Sequence, residues 1–139
     1  VEGRAVDRRN WHVTLAYIGQ FPERQIPDLL ARADEIPVEP FQLNFDRIEF
    51  WPRPKVACKV GATVPSELQR LIGHLHALMQ DFGLTPEDRT YRPHITVVRN
   101  ARTFPTERLT QRAATTWSSF ELIESLPGPG EVRYRPLKQ

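Results

Sequence analysis

A short phrase occurs twice in this chain and narrows what the chain can become. The first copy reads Asn10-Trp11-His12-Val13-Thr14-Leu15-Ala16-Tyr17-Ile18-Gly19, the second Tyr91-Arg92-Pro93-His94-Ile95-Thr96-Val97-Val98-Arg99. Each sets a histidine, an aliphatic residue, a threonine and a second aliphatic residue in a row. Both are rich in β-formers and too short for a buried helix, so each is expected to be a strand. Side chains alternate faces along a strand, so His12 and Thr14 share one face while Val13 and Leu15 take the other. His94 and Thr96 pair in the same way against Ile95 and Val97. Leaving such polar groups buried and unpaired costs on the order of 2–7 kcal/mol each. The His/Thr face is therefore expected to look into a wet cleft.

Two imidazoles and two hydroxyls on one site suit a phosphate. An imidazole titrates near neutrality, at about 6.5 in the absence of perturbation, so one ring can act as base while another acts as acid. Threonine hydroxyls can donate to non-bridging phosphate oxygens. No carboxylate stands near either motif, which would leave a divalent ion short of ligands. The residue types thus point to phosphodiester cleavage without a metal. Arg99 follows the second motif with parity opposite to His94, so strict alternation turns it away. A bulge at the strand end would return it to the cleft and to the phosphate. Among Tyr17, Tyr91, Phe50 and Trp51, core packing is expected for Tyr17, and Trp51 beside its prolines is the candidate for stacking on a base.

Other residues read more plainly. His74 and His76 stand two apart on a helical segment, hence on different sides of it, and are read as structural or exposed. Cys58 is the only cysteine, so no internal disulfide can form. It is expected to be a small buried residue of a strand, and a reducing cytoplasm is the expected setting. The formal charge is +2, and Lys55, Lys59 and Lys138 are the only lysines among nineteen basic side chains. Arginine forks match phosphate oxygens, although base composition of the genome produces the same skew. No apolar run approaches the roughly 18–20 residues of a membrane span, and no signal-peptide pattern opens the chain. No cofactor is implied.

Along the chain, residues 1–9 read as a loop. A helix is expected over Glu23–Ile36, stopped by Pro37, then a strand over Phe41–Phe50 and another over Lys55–Val60, the two joined as a hairpin across Trp51-Pro52-Arg53-Pro54. From Pro65, Leu68, Leu71, Ile72, Leu75, Leu78, Met79 and Phe82 recur at helical spacing up to Gly83. Leu84–Arg89 is a loop before the second motif. A short helix over Pro105–Arg112, a strand over Thr115–Ile123, a turn at Pro127-Gly128-Pro129-Gly130 and a final strand over Glu131–Leu137 complete the pattern. Helices interspersed with strands adjacent in sequence argue an α+β class with antiparallel sheet in a single domain, 1–139.

The doubled motif resembles that of the two-histidine (2H) phosphoesterase superfamily. Asn-Trp-His-Val-Thr-Leu and Pro-His-Ile-Thr-Val-Val-Arg are most similar to its branch of RNA 2′,3′-cyclic phosphodiesterases, also called 2′-5′ RNA ligases. The likeness runs from about Asn10 to Arg133-Tyr134-Arg135-Pro136-Leu137. It implies two lobes about a pseudo-twofold axis, helices outside, each lobe lending one His-x-Thr strand to a central cleft. It further implies metal-independent hydrolysis of a 2′,3′-cyclic phosphate at an RNA 3′ end to a 2′-phosphate, with reversible ligation as a related activity. His12 would be the acid, His94 the base, and Thr14 and Thr96 the holders of the phosphate oxygens. Relatives often carry an aromatic residue where this chain has Lys59. They also open with a strand and a helix before the first motif, and this chain does not. Residues upstream, or another chain, are expected to fill that gap, and a monomer is expected if the N-terminus is complete. Two other readings stand beside this one: a non-catalytic RNA- or nucleotide-binding domain, and a phosphodiesterase for a small cyclic nucleotide phosphate.

Overall fold

The structure, a computed structural model, describes residues 2–61, 63–87, 90–126 and 133–137. The chain divides into two compact units. The first comprises Val1–Leu15, Phe41–Pro65 and Arg89–Trp117, the second Ala16–Pro40, Ser66–Asp88 and Ser118–Gln139.

The first unit is a five-stranded antiparallel sheet. Its strands are β1 (Arg4–Ala5), β2 (Phe41–Trp51), β3 (Val56–Val60), β4 (His94–Arg99) and β5 (Glu107–Trp117), in the spatial order β1-β4-β3-β2-β5. The hairpin of β2 and β3 forms as the alternation requires, with Arg47 opposite Val60 and Trp51 opposite Val56. Phe41, Leu43 and Phe45 alternate with exposed Gln42 and Asn44 and are buried, as are Val56, Cys58 and Val60. Gly61 ends this hairpin for a steric reason. A Cβ there would lie 2.1 Å from the Asn44 carbonyl oxygen, so only hydrogen fits between the backbones.

Three expectations fail in this unit. Residues 1–9 are not only loop: β1 pairs with β4, and Arg8–Asn10 form a short 3₁₀ turn capped by the Asp7 carboxylate, which accepts from the Arg9 amide at 2.9 Å. That carboxyl is held at about 2, chiefly by the Arg9 side chain. The first motif is not a regular strand, because Val13 alone bridges to Ile95. Neighbouring carbonyls are taken by side chains instead: Asn10 accepts from His12, and Thr14 accepts from the Tyr91 hydroxyl at 2.9 Å. The helix expected over Pro105–Arg112 is replaced by β5, whose Trp117, Thr116 and Thr115 lie opposite Phe41, Gln42 and Leu43. Glu107-Arg108-Leu109 is locally helix-compatible, but the open edge of β2 supplies backbone partners that override that preference.

The second unit holds helices α1 (Ile26–Asp34) and α2 (Ser66–Asp81) and a hairpin of β6 (Ile123–Leu126) with β7 (Arg133–Pro136). A 3₁₀ turn at Glu23–Gln25 leads into α1, with Pro27 in its first turn and Leu29 and Leu30 buried. In α2, Leu68, Leu71, Ile72, Leu78 and Met79 are buried at the expected spacing. It closes with Gly83 at φ +78°, the Gly83 amide donating to Gln80 and the Leu84 amide to Met79. These are the paired bonds of a Schellman ending. An Arg32–Asp81 ion pair of 2.6 Å ties the two helices. The strand expected over Thr115–Ile123 is split: β5 stops at Trp117 and β6 starts at Ile123. Tyr17 is 72% exposed rather than packed in a core. The turn expected at Pro127–Gly130 lies outside the described residues. Among the described residues, no helix is long and apolar enough to cross a membrane.

Candidate active site

Both His-x-Thr pairs fall in the first unit, on neighbouring segments. Val13 lies antiparallel to Ile95. Carrying that register one residue each way sets His12 across from Thr96 and Thr14 across from His94. Directly opposed residues share a face, so the four polar side chains project together. The two histidines are then diagonal neighbours across that single bridge.

The two rings are anchored alike. His12 Nδ1 lies 2.7 Å from the Asn10 carbonyl oxygen, and His94 Nδ1 lies 2.9 Å from the Arg92 carbonyl oxygen. A carbonyl can only accept, so Nδ1 carries the proton in both rings and Nε2 is the nitrogen that can gain or lose one. Each motif thus uses the carbonyl two residues before its histidine to fix the tautomer.

The register of β3 with β4 defines the rest of the face. Val60 lies opposite His94, Cys58 opposite Thr96, Ala57 opposite Val98 and Val56 opposite Arg99. Between Ala57 and Cys58 strand β3 advances one residue while β4 advances two. That extra residue flips the parity of everything after it. Val56, Cys58 and Val60 share one face of β3, so Arg99 lies on the face of His94 and Thr96. Cys58 Sγ lies 3.6 Å from Thr96 Oγ1, which puts Thr96 on the face of Cys58. Burial pushes that thiol up, so Cys58 is an inert floor beneath Thr96. Lys59, opposite Ile95, belongs to the other face, where its ammonium sits 4.6 Å from the Trp11 ring centre.

Trp51 packs on Val56, Cys58 and Val60 and reaches His94, the ring centres 4.3 Å apart and tilted by 47°. Its indole N–H donates to Glu49 Oε1 at 3.2 Å, and the Arg92 guanidinium lies 5.3 Å from its ring centre. Arg92 Nη2 also donates to both Glu49 oxygens, at 3.1 and 3.2 Å. Glu49, with a side chain 18% exposed, therefore holds two residues that each touch His94. Neither Glu49 nor Arg92 is singled out by the motifs. The one sequence signal is that Glu49 shares parity with Trp51 on β2. Tyr91, whose hydroxyl donates to the Thr14 carbonyl, links the two motif segments, and burial raises its phenol well above the ordinary value. Among the described residues, no three histidine, cysteine or acidic side chains gather as a metal-binding group.

Two His-x-Thr segments joined antiparallel, with both Nδ1 atoms tied to main-chain carbonyls, are the arrangement on which the resemblance to two-histidine phosphoesterases rests. Known proteins carry the classification further. Residues 1–58 match the family described as LigT like Phosphoesterase. The RNA 2′,3′-cyclic phosphodiesterase of Escherichia coli is 31% identical over 140 residues, 99% of this chain and 78% of that protein. The enzyme of the same name from Archaeoglobus fulgidus is 27% identical over 104 residues, 73% of this chain and 58% of its own length. The crystal structure of E. coli LigT complexed with 3′-AMP superposes with a TM-score of 0.79 at 29% identity, covering 98% of this chain and 79% of that one. The chain belongs to the LigT-like phosphoesterase family of RNA 2′,3′-cyclic phosphodiesterases.

Proposed function

We propose that this protein hydrolyses the 2′,3′-cyclic phosphate at the 3′ end of RNA, leaving a 2′-phosphomonoester. The observation that carries the reading is the antiparallel pairing of Val13 with Ile95, which sets each histidine across from the threonine of the other motif. In-line attack on the phosphorus needs a base on water and an acid on the departing ribose 3′ oxygen, on opposite sides of the phosphate. His94 takes the proton from water at Nε2 as the new P–O bond forms. His12 gives its Nε2 proton to the 3′ oxygen as the old P–O bond breaks. Thr14 and Thr96 donate to the non-bridging oxygens as charge builds there. Arg99, returned to this face by the extra residue in β4, adds a guanidinium for the phosphate. Trp51 against His94 offers the wall on which the terminal base or ribose packs. Proton transfer through imidazole and charge neutralisation through hydroxyl and guanidinium meet the demands of the reaction without a metal or cofactor.

The names of the similar proteins support the substrate class, and a cytoplasmic setting fits one buried free thiol. Turnover of an RNA oligonucleotide ending in a 2′,3′-cyclic phosphate, with the product's phosphate position determined, tests the proposal. His12→Ala and His94→Ala should each lower kcat by about 10²–10⁴. Binding of the oligonucleotide with no turnover by the wild type would leave a non-catalytic binding domain as the correct reading.

A further inference from the structure

One row of directly opposed residues crosses four strands, from the second motif to the far edge of the sheet. His94 on β4 lies opposite Val60 on β3, Val60 opposite Arg47 on β2, and Arg47 opposite Arg108 on the edge strand β5. Directly opposed residues share a face, so both arginines stand on the face of His94. Neighbouring strands lie about 4.7–4.9 Å apart, which sets the backbone of Arg47 roughly 9–10 Å from that of His94 and Arg108 one strand farther. Trp51 packs against the Val56, Cys58 and Val60 cluster and touches the His94 ring, so an apolar surface adjoins the row between its two ends. The arginines are not matched by their own surroundings. Like charges placed directly across two strands disfavour the pairing. Arg47 Nε is closed off from solvent and lies 3.6 Å from both Asp46 Oδ1 and Glu49 Oε2, beyond hydrogen-bond range, and it bonds to neither. Glu49 already accepts from Trp51 and Arg92. Arg108 is exposed and enters no ion pair among the described residues. The carboxylates of Asp46 and Glu49 thus face the guanidinium groups of Arg47, Arg92 and Arg108, which leaves a surplus of positive charge along the row.

We propose that Arg47 and Arg108 form a subsite for the internal phosphodiester on the 5′ side of the terminal nucleotide. With the cyclic phosphate at the histidines and the terminal nucleotide against Trp51, the next phosphate meets the two guanidinium groups at the end of the row. Guanidinium forks on adjacent strands both donate to that phosphate, and the anion offsets the surplus charge. A nucleoside 2′,3′-cyclic phosphate has no such group, so the subsite favours RNA ends over single nucleosides. It rests on the reading of the active site given above and adds to it the residues that read the polymer.

The test compares variants at the exposed edge position with the wild type on a dinucleotide ending in a 2′,3′-cyclic phosphate and on a nucleoside 2′,3′-cyclic phosphate that lacks any 5′ phosphate. The quantity read is the ratio of kcat/KM for the first substrate to that for the second. Arg108→Ala should lower this ratio roughly tenfold to a hundredfold, the range for losing a charge-assisted contact. Arg108→Lys should recover part of the loss. Arg108→Glu sets an opposite charge across from Arg47, so it should lower the ratio further while thermal unfolding shows no loss of stability. A ratio unchanged in Arg108→Ala and Arg108→Glu overturns the subsite, whatever happens to the separate rates. A binding measurement keeps the two proposals separable. With a 3′-phosphorylated dinucleotide as probe, the double variant Arg47→Ala/Arg108→Ala should weaken binding and reduce the salt dependence by about 0.7 in log–log slope, one single-strand phosphate contact. A wild type that turns over no cyclic substrate would sink the hydrolase reading, while an unchanged salt slope would sink the subsite whatever the turnover.

Discussion

Each catalytic candidate is held by a neighbour the sequence does not advertise. The main-chain carbonyls of Asn10 and Arg92 fix the two imidazoles, and both anchors stand two residues before their histidine. That part was implicit in the doubled motif. The support around His94 was not. Glu49 reaches Trp51 from two positions away and Arg92 from 43 positions away, so only the folded register brings the three together. Removing the carboxylate should let the indole and guanidinium shift, and with them the ring of His94. Glu49→Ala should therefore lower kcat by about 10–10² through misplacement, with KM changed far less. Glu49→Gln keeps an oxygen that accepts from both partners and should restore most of the activity. Steady-state kinetics of the two variants check this: equal damage from Gln and Ala would mean that charge, not position, is the contribution of Glu49.

At the level of elements, periodicity was legible wherever burial was one-sided. The leucines of α2 and the alternation of Phe41, Leu43 and Phe45 announced their elements because one face alone is buried. β5 was legible only at its end, Thr115–Trp117, since Glu107, Arg108, Ala114, Thr115 and Thr116 are exposed on an edge strand and leave no apolar period to read. The first motif was only half legible: its alternation survives, but one bridge replaces a ladder. Arg99 shows the limit of parity counting, because one extra residue in β4 reverses it, and no residue type marks where. Two glycines separate the physical reasons for that residue. At Gly83 no atom lies within 4 Å of a would-be Cβ, so alanine meets only the left-handed backbone at φ +78°. Gly83→Ala should cost about 1 kcal/mol. At Gly61 the obstacle is the Asn44 carbonyl oxygen at 2.1 Å, a backbone atom inside a hairpin that cannot turn aside. Gly61→Ala should cost more, about 1–3 kcal/mol, as overpacking does. Denaturant unfolding of both variants gives the order directly, and a smaller loss at Gly61 would mean that the β2–β3 hairpin yields at that point.

For the whole molecule, the informative quantity is the joint state of two imidazoles contributed by segments far apart in sequence. Reading the motifs as a pair was possible because neither makes sense alone as a buried strand. Their placement in one unit of the chain was not readable, since it depends on β1 and Val13 lying along β4. Turnover in the proposed mechanism needs His94 neutral and His12 protonated at once. As pH rises, activity first grows while His94 loses its proton, then falls as His12 loses its own, so the profile of kcat/KM is bell-shaped. The two limbs belong to the coupled pair, and substitution assigns them. His94→Ala removes the base, so its residual rate should lose the rising acidic limb and keep the alkaline fall. His12→Ala removes the acid, so its residual rate should keep the acidic rise and lose the fall. Because imidazole and hydroxyl groups meet the chemical demand, the wild-type profile should be the same with and without EDTA. An exchange of limbs between the two variants would reverse the acid and base roles. A profile that collapses with EDTA and returns on adding a divalent ion would replace the two-imidazole mechanism with a metal-assisted one.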